Sequence, residues 1–338
     1  MGVEIKGVNL IVDTNYVLFR NVYYLAKNNI LYGELENSLI ATFENYLKLY
    51  RFNKIYMVSD SKSSWRKRIY PEYKAGRKEK RDGEDVDWEF VFNTYDKFKS
   101  EIGDTLKSSK IELIEGDNIE GDDWINYLIN RSNKNNYSVL YIASDKDLNQ
   151  KLDLSIVPTW INVQYYENMA NGKVYFPRGY KIFFDELEKG NDDIFSLNDN
   201  FEFLQFLKSL IDKNKFEEID KELSLFVKII SGDRGDNISS VLKIPTKTNP
   251  NNFMGIGDAG AIKIYDKYKK DYPFDIDFTN DKWLDEVKHY CLDYKKVLDE
   301  KVLYETMLEN SLKQNRDLIH LHESHLPNDI LEKIKSIG

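Results

Sequence analysis

The stretch SVLYIASDKD, residues 138–147, decides the fold. An apolar run of this length reads as a strand buried on both faces of a sheet, and it stops at an aspartate. The same design occurs twice more: Val8 to Val12 runs into Asp13, and Lys54 to Ser59 runs into Asp60. Longer amphipathic stretches lie between them, notably Glu34 to Arg51 and Gly121 to Asn130, so strand and helix alternate as in an α/β sheet. Ligands of open α/β sheets gather outside the carboxyl ends of the strands, and three aspartates are expected there.

From about Asn191 onward the pattern turns helical. Asn200 to Asp212, Lys221 to Ile230, Asp258 to Lys270 and Trp283 to Asn310 all have helical spacing, while Pro245 to Asn252 reads as a loop. Turn-rich tracts at Ala170 to Gly172 and Gly190 to Asp193 mark the junction. The expected division is an α/β domain over residues 1–190 and a mainly helical region over 191–338. No internal repeat is visible.

A chain of 338 residues, 41% hydrophobic and 31% charged, has ample material for a core. One cysteine, Cys291, cannot form an internal disulfide, which points to a reducing, cytoplasmic setting. No run approaches the roughly 20 apolar residues of a spanning helix, so no membrane is expected. The net charge of -9 argues against nucleic acid until its distribution is considered, because phosphate binding rests on Lys and Arg. Nine of the carboxylates belong to one set of motifs, so local fields rather than the total must do the attracting.

Those nine are Asp13, Asp60, Glu120, Asp122 and Asp123 in IEGDDW, Asp145 and Asp147 in ASDKD, and Asp233 and Asp236 in SGDRGDN. Taken singly, each reads as a helix cap or a solvated turn, and Asp122 and Asp123 suit a first helical turn. Asp145 and Asp147 alternate by two, so an extended backbone would point both the same way. Brought together, so many acids repel unless cations sit between them. Hard oxygen donors without His or Cys suit Mg²⁺ or Mn²⁺. Paired ions about 4 Å apart would activate a water and steady a leaving oxygen, with no protein nucleophile. The histidines His289, His320, His322 and His325 all lie away from these motifs and read as surface or packing residues.

Directly after Asp60 comes SKSSWRKRIYPEYKAGRKEKR, residues 61–81, in which nine basic residues face two glutamates. The bland reading is a solvated basic face. Interleaved Trp65, Tyr70 and Tyr73 favour a single-strand groove, where cations track the backbone and aromatic rings stack on bases. Further on, Gly255 and Gly257 in MGIGDAGAIKIYDKY allow a close backbone approach to a phosphate, and the helix beginning near Asp258 offers its amides. An ordinary helix-start turn is the alternative.

In order, IVDTN, VSDSKSSWRKR with YPEYKAGR, IEGDDW, IASDKDLNQ, SGDRGDN and MGIG resemble the flap endonuclease and 5′-3′ exonuclease superfamily, closest in pattern to the ribonuclease H group of T-even phages. The resemblance runs from about Leu10 to Tyr268. It implies a PIN-like, mainly parallel sheet flanked by helices, a helical arch over residues 61–100, and a C-terminal helical region with a helix-three-turn-helix element at 231–270. By position, Asp13, Asp60, Asp123 and Asp145 would hold one metal and Asp147, Asp233 and Asp236 a second, with Glu120 and Asp122 in support. Lys74 and Arg77 would contact the scissile phosphate. Arg66, Lys67, Arg68, Tyr73, Gly255, Gly257 and Lys263 would bind nucleic acid, with Tyr73 stacking on a base. Two Mg²⁺, replaceable by Mn²⁺, and a monovalent cation at the helix-three-turn-helix are the implied cofactors.

The implied activity is hydrolysis near 5′ ends of RNA-DNA hybrid, duplex DNA, flaps and forks, removing RNA primers in lagging-strand replication. A monomer is expected, in the host cytoplasm if phage-encoded, meeting a single-strand-binding protein or a sliding clamp. The chain departs from the family pattern in two ways: residues 238–254 intervene before GIG, and Ala259 stands where the family carries lysine, with Lys263 one turn on. Two other readings fit parts of the sequence. One is a non-catalytic, structure-specific DNA-binding protein on this scaffold. The other is a haloacid-dehalogenase-like phosphatase, which would need an aspartate where Asn15 stands.

Overall fold

The structure is a computed structural model that describes residues 7–28, 30, 32–49, 52–106, 108, 110–143, 145–151, 159–162, 167–168, 173–174, 220–245, 253–295 and 301–337. The expected helix at 200–212 and the turn tracts at 170–172 and 190–193 lie outside them. Two compact units are formed, one from Met1–Ser63, Glu84–Ile219 and Glu332–Gly338, the other from Ser64–Gly83 and Asp220–Leu331.

The first unit is built on a parallel sheet of five strands: β1 (Gly7–Asp13), β2 (Ile55–Val58), β3 (Ile111–Ile114), β4 (Tyr137–Ile142) and β5 (Thr159–Asn162), in the order β3-β2-β1-β4-β5. The three strands read from the sequence occupy its centre, where both faces are covered. Leu10, Ile11 and Val12 are fully buried, as are Ile55, Met57 and Val58 on β2. Parallel neighbours need crossovers, and helices supply them. α1 (Thr14–Lys27) and α2 (Leu35–Leu49) lead from β1 to β2, α5 (Trp88–Thr105) precedes β3, and α6 (Gly121–Lys134) joins β3 to β4. α6 packs on β1 and β4 and carries the fully buried Trp124.

β3 was not apparent in the sequence because IELI is short, interrupted by Glu112, and only half buried at its first three positions. Two small antiparallel pairs, β6 (Glu167–Asn168) with β7 (Lys173–Val174) and β8 (Ile244–Pro245) with β9 (Phe253–Met254), are the other strands among the described residues.

The second unit is helical. It contains the short helices α3 (Arg66–Ile69) and α4 (Arg77–Asp82), then α7 (Lys221–Ser231), α8 (Asp258–Asp271), α9 (Lys282–Lys295) and α10 (Lys301–Ile319); the last helix, α11, spans Asn328–Ile337. Phe226 on α7 meets Tyr265 and Tyr268 on α8 and Trp283 on α9 at ring separations of 5.2, 6.1 and 6.1 Å, an aromatic centre for this core. The expected helix from Trp283 to Asn310 is carried by α9 and α10, with residues 296–300 between them outside the described set. The segment 238–254 that separates SGDRGDN from GIG contributes the antiparallel strands β8 and β9, and residues 246–252 of the expected loop lie outside the described set.

The turn after α7 depends on Gly232. Its φ is +80°, and a Cβ there would stand 2.5 Å from the Ser239 carbonyl carbon and still closer to the Ile238 oxygen. Gly232→Ala is therefore expected to lower stability by about 2 kcal/mol or more, read as a fall in the urea midpoint. An unchanged midpoint would mean the turn is not built as described.

Candidate functional site

The first unit brings carboxylates to the carboxyl ends of its central strands. Asp13 ends β1 and caps α1, accepting the Tyr16 N–H at 3.0 Å. Asp60 follows β2 and accepts the Gly121 N–H, at the start of α6, at 2.7 Å. Asp145 follows β4. Burial, together with the negative charges of Asp60 and Asp145, pushes the Asp13 carboxyl up to about 7, so the three share one electrostatic field. Asp13 ends β1 and Asp60 lies two residues past β2, its neighbour, the two strands being held in register by the Asp13–Val58 pairing.

A buried tyrosine braces these strand ends. The Tyr95 hydroxyl on α5 donates to Asn15 Oδ1 at 2.9 Å and is hydrogen-bonded to Thr14 Oγ1, which itself donates to the Val58 carbonyl at 2.7 Å. Burial pushes the Tyr95 phenol far up, with Asp13 and Asp60 contributing, so it stays neutral beneath the carboxylates. Sequence reading missed Tyr95, because one tyrosine in an amphipathic helix carries no signal of what it touches.

The IEGDDW motif folds as a helix start. Glu120 and Asp123 form a capping box, with Asp123 Oδ2 accepting the Glu120 N–H at 3.2 Å, and both are buried. Asp122 is partly exposed, and its charge adds to burial in raising the Tyr141 phenol on β4. The expectation of an extended backbone at Asp145 and Asp147 is corrected. The strand ends at Ile142, and Lys146–Lys151 is a 3₁₀ turn in which Asp145 Oδ1 accepts the Asp147 N–H at 2.9 Å. The Tyr141 hydroxyl holds this turn by donating to the Leu148 carbonyl at 2.8 Å.

Among the described residues no three His, Cys, Asp or Glu side chains already stand as a metal cage. The donor set nevertheless fits a hard divalent ion: it is all carboxylate oxygen, and the like charges gathered around Asp13 are what a cation would relieve.

The second unit holds Asp233 and Asp236 with the basic segment. Burial opposes ionisation of Asp233, but the Lys228 ammonium at 2.7 Å and the N–H groups of Gly235 and Asp236 outweigh it and hold the carboxyl low. Asp236 is buried and accepts the Tyr73 hydroxyl at 2.9 Å and the Arg77 guanidinium, with the Lys74 ammonium at 3.9 Å. Lys74, Arg77 and Asp236 are therefore brought together, and Asp233 belongs to the same turn.

The nucleic-acid candidates divide. Lys67, Arg68 and Lys263 are exposed, although Arg68 makes two 3.0 Å hydrogen bonds to Asp329. Gly257 is an exposed N-cap to α8, whereas a Cβ on Gly255 would sit 2.7 Å from the Ser240 Cβ. Arg66, Trp65 and Tyr73 correct the expectation of a stacking groove. Arg66 is 3% exposed and donates to the Leu318 carbonyl at 3.0 Å, while Trp65 and Tyr73 are 1% and 3% exposed. Interleaving with lysines had suggested platforms, but these rings are packing residues.

Residues 8–177 match the family model for the 5′-3′ exonuclease N-terminal resolvase-like domain. The chain belongs to the flap endonuclease and 5′-3′ exonuclease superfamily. Among solved structures, a bacteriophage T5 flap endonuclease variant, a pseudo-enzyme in complex with product DNA and metal ions, is 19% identical with a TM-score of 0.56; the match covers 98% of this chain and 97% of that one. The bacteriophage T5 5′-exonuclease with divalent zinc bound is also 19% identical, with a TM-score of 0.55 and 98% of each chain covered. At that identity the likeness establishes the 5′-nuclease fold. No curated protein matches. Among the described residues, no helix is long and apolar enough to cross a membrane.

Proposed function

We propose that the protein is a metal-dependent, structure-specific 5′ nuclease that hydrolyses phosphodiesters of RNA-DNA hybrid, duplex DNA and 5′ flaps, and removes RNA primers during lagging-strand replication. The observation that carries the reading is the gathering of Asp13, Asp60 and Asp145 in one field at the ends of three adjacent parallel strands. Asp13, Asp60, Asp123 and Asp145 would hold one divalent ion, with Glu120 and Asp122 in support. Divalent ions, when bound, supply the Lewis acidity that activates water and neutralises a leaving oxygen. The chain's own part is to fix the acceptors and present cations to phosphate. Asp60 is steadied by the Gly121 amide, Asp145 by the Asp147 amide, and the strand ends by Tyr95. Lys74 and Arg77 would grip the scissile phosphate as charge-assisted donors.

The test is a 5′-labelled RNA-DNA hybrid beside a 5′ flap, a nick and a gap, each with Mg²⁺. Short 5′ products from the hybrid and the flap are expected; their absence from both would overturn the reading. Calorimetry without nucleic acid provides a second check. A saturable Mg²⁺ or Mn²⁺ heat is expected, whereas a flat titration would favour a binding protein that keeps the scaffold without the chemistry.

A further inference from the structure

We infer that Asn237 is a positioning residue for Lys74, clasping the turn that carries this cation onto the turn that carries Asp236. The inference rests on the phosphate-gripping role proposed for Lys74. Among the described residues four non-glycine side chains sit on a left-handed backbone: Asn118, Asn136, Asn237 and Lys74. Asparagine tolerates that region, whereas lysine enters it only when its surroundings hold it there. Lys74, at φ 57°, is the exception, and the turn around Asp236 holds it there.

Two hydrogen bonds tie the turns reciprocally. The Lys74 N–H donates to the Asp236 carbonyl at 3.0 Å, and Asn237 Nδ2 donates to the Glu72 carbonyl at 2.9 Å. Asn237 is itself left-handed, at φ 61°, which aims its side chain back at Glu72 rather than along the chain. Between the two bonds lie the groups the clasp organises: the Lys74 ammonium and the Arg77 guanidinium on the Asp236 carboxylate, and the Tyr73 hydroxyl at 2.9 Å from the same group. The Lys74 ammonium also lies 4.9 Å from the centre of the Tyr73 ring, so ring, carboxylate and clasp fix one position for it. Opening the Asn237 bond frees the strained turn to relax and lets the ammonium wander. A loss of about an ångström in placement is enough to slow chemistry without weakening binding.

Asn237→Gly keeps the backbone freedom and deletes the amide, and Asn237→Asp keeps the shape but cannot donate. Both are expected to lower the single-turnover cleavage rate by about tenfold while shifting the flap Kd by less than about threefold. In a Lys74→Ala background the Gly change is expected to have no further effect, a coupling that general damage to the fold would not produce. A wild-type rate in Asn237→Gly, or losses that multiply in the double variant, would overturn the inference. A readout free of nucleic acid keeps it separate from the nuclease assignment: trace acetylation read by mass spectrometry. Lys74 reactivity, normalised to the exposed Lys78, is expected to rise severalfold in Asn237→Gly. Should the wild type cut no substrate, the nuclease reading fails and this ratio alone decides the clasp, an unchanged ratio overturning it.

Discussion

Asp145→Asn is expected to cut the hydrolysis rate by about a thousandfold or more while leaving flap affinity within about threefold. The substitution is unusually clean because asparagine keeps the Oδ1 that accepts the Asp147 N–H at 2.9 Å, so the 3₁₀ turn after β4 should survive. What disappears is one negative charge in the field around Asp13. Charge is what a divalent ion requires of its ligands, so the loss falls on metal binding and chemistry rather than on the fold. Removing a like charge should also raise the stability of the metal-free protein. Single-turnover cleavage in Mg²⁺, anisotropy binding in Ca²⁺ and a thermal melt in chelator test all three parts. A rate within about tenfold of wild type would show that Asp145 is no ligand.

The parts of this arrangement that sequence exposes are those whose residues report on themselves. Leu10 to Val12 and Ile55 to Val58 are buried on both faces, so their strands are continuous apolar runs, and Asp13 and Asp60 are legible as strand-end acids. IEGDDW is legible as a helix start because the capping box that closes it is local. What stays hidden depends on partners distant in sequence. Tyr73 and Trp65 sit in a run of cations that suggests a surface groove, yet the core of the second unit claims the Tyr73 ring and Trp65 is buried as well. Arg66 reads as a surface cation until the Leu318 carbonyl, 252 residues away, accepts a hydrogen bond from it. Asp236 reads as one acid in a motif, but its carboxylate is defined by Tyr73 and Arg77 from a segment that the chain crosses some 160 residues earlier. Periodicity carries no information about such pairs. The 145–147 reading failed for a local reason: two polar residues spaced by two fit a strand and a 3₁₀ turn equally well, and the Asp145–Asp147 bond chooses the turn.

Metal-free stability should fall as pH rises from about 4 to about 7, opposite to the trend produced by most native carboxylates. The cause is Asp13, whose carboxyl is pushed up from 3.8 to about 7 by burial and by Asp60 and Asp145. Across that window the native state holds a proton that the unfolded chain has released, so raising the pH costs stability, with a slope approaching about 1.4 kcal/mol per pH unit from this group and flattening above about 7. Asp13→Asn provides the reference, since asparagine can keep the cap on the Tyr16 N–H while removing the titration. The wild-type curve minus the variant's isolates the Asp13 contribution from every other group. Asp60→Asn removes one of the charges that raise Asp13, so it should lessen the slope and move the window downward. Divalent ions must act in the reverse sense, because they bind the ionised carboxylates: Mg²⁺ or Mn²⁺ should stabilise strongly at pH 8 and little at pH 5. Urea unfolding across pH 5 to 8, in chelator and in metal, measures both trends together. A wild-type curve parallel to that of Asp13→Asn in chelator would mean that the strand-end carboxylates are too far apart to feel one another, and the case for a shared metal centre in the first unit would fail with it.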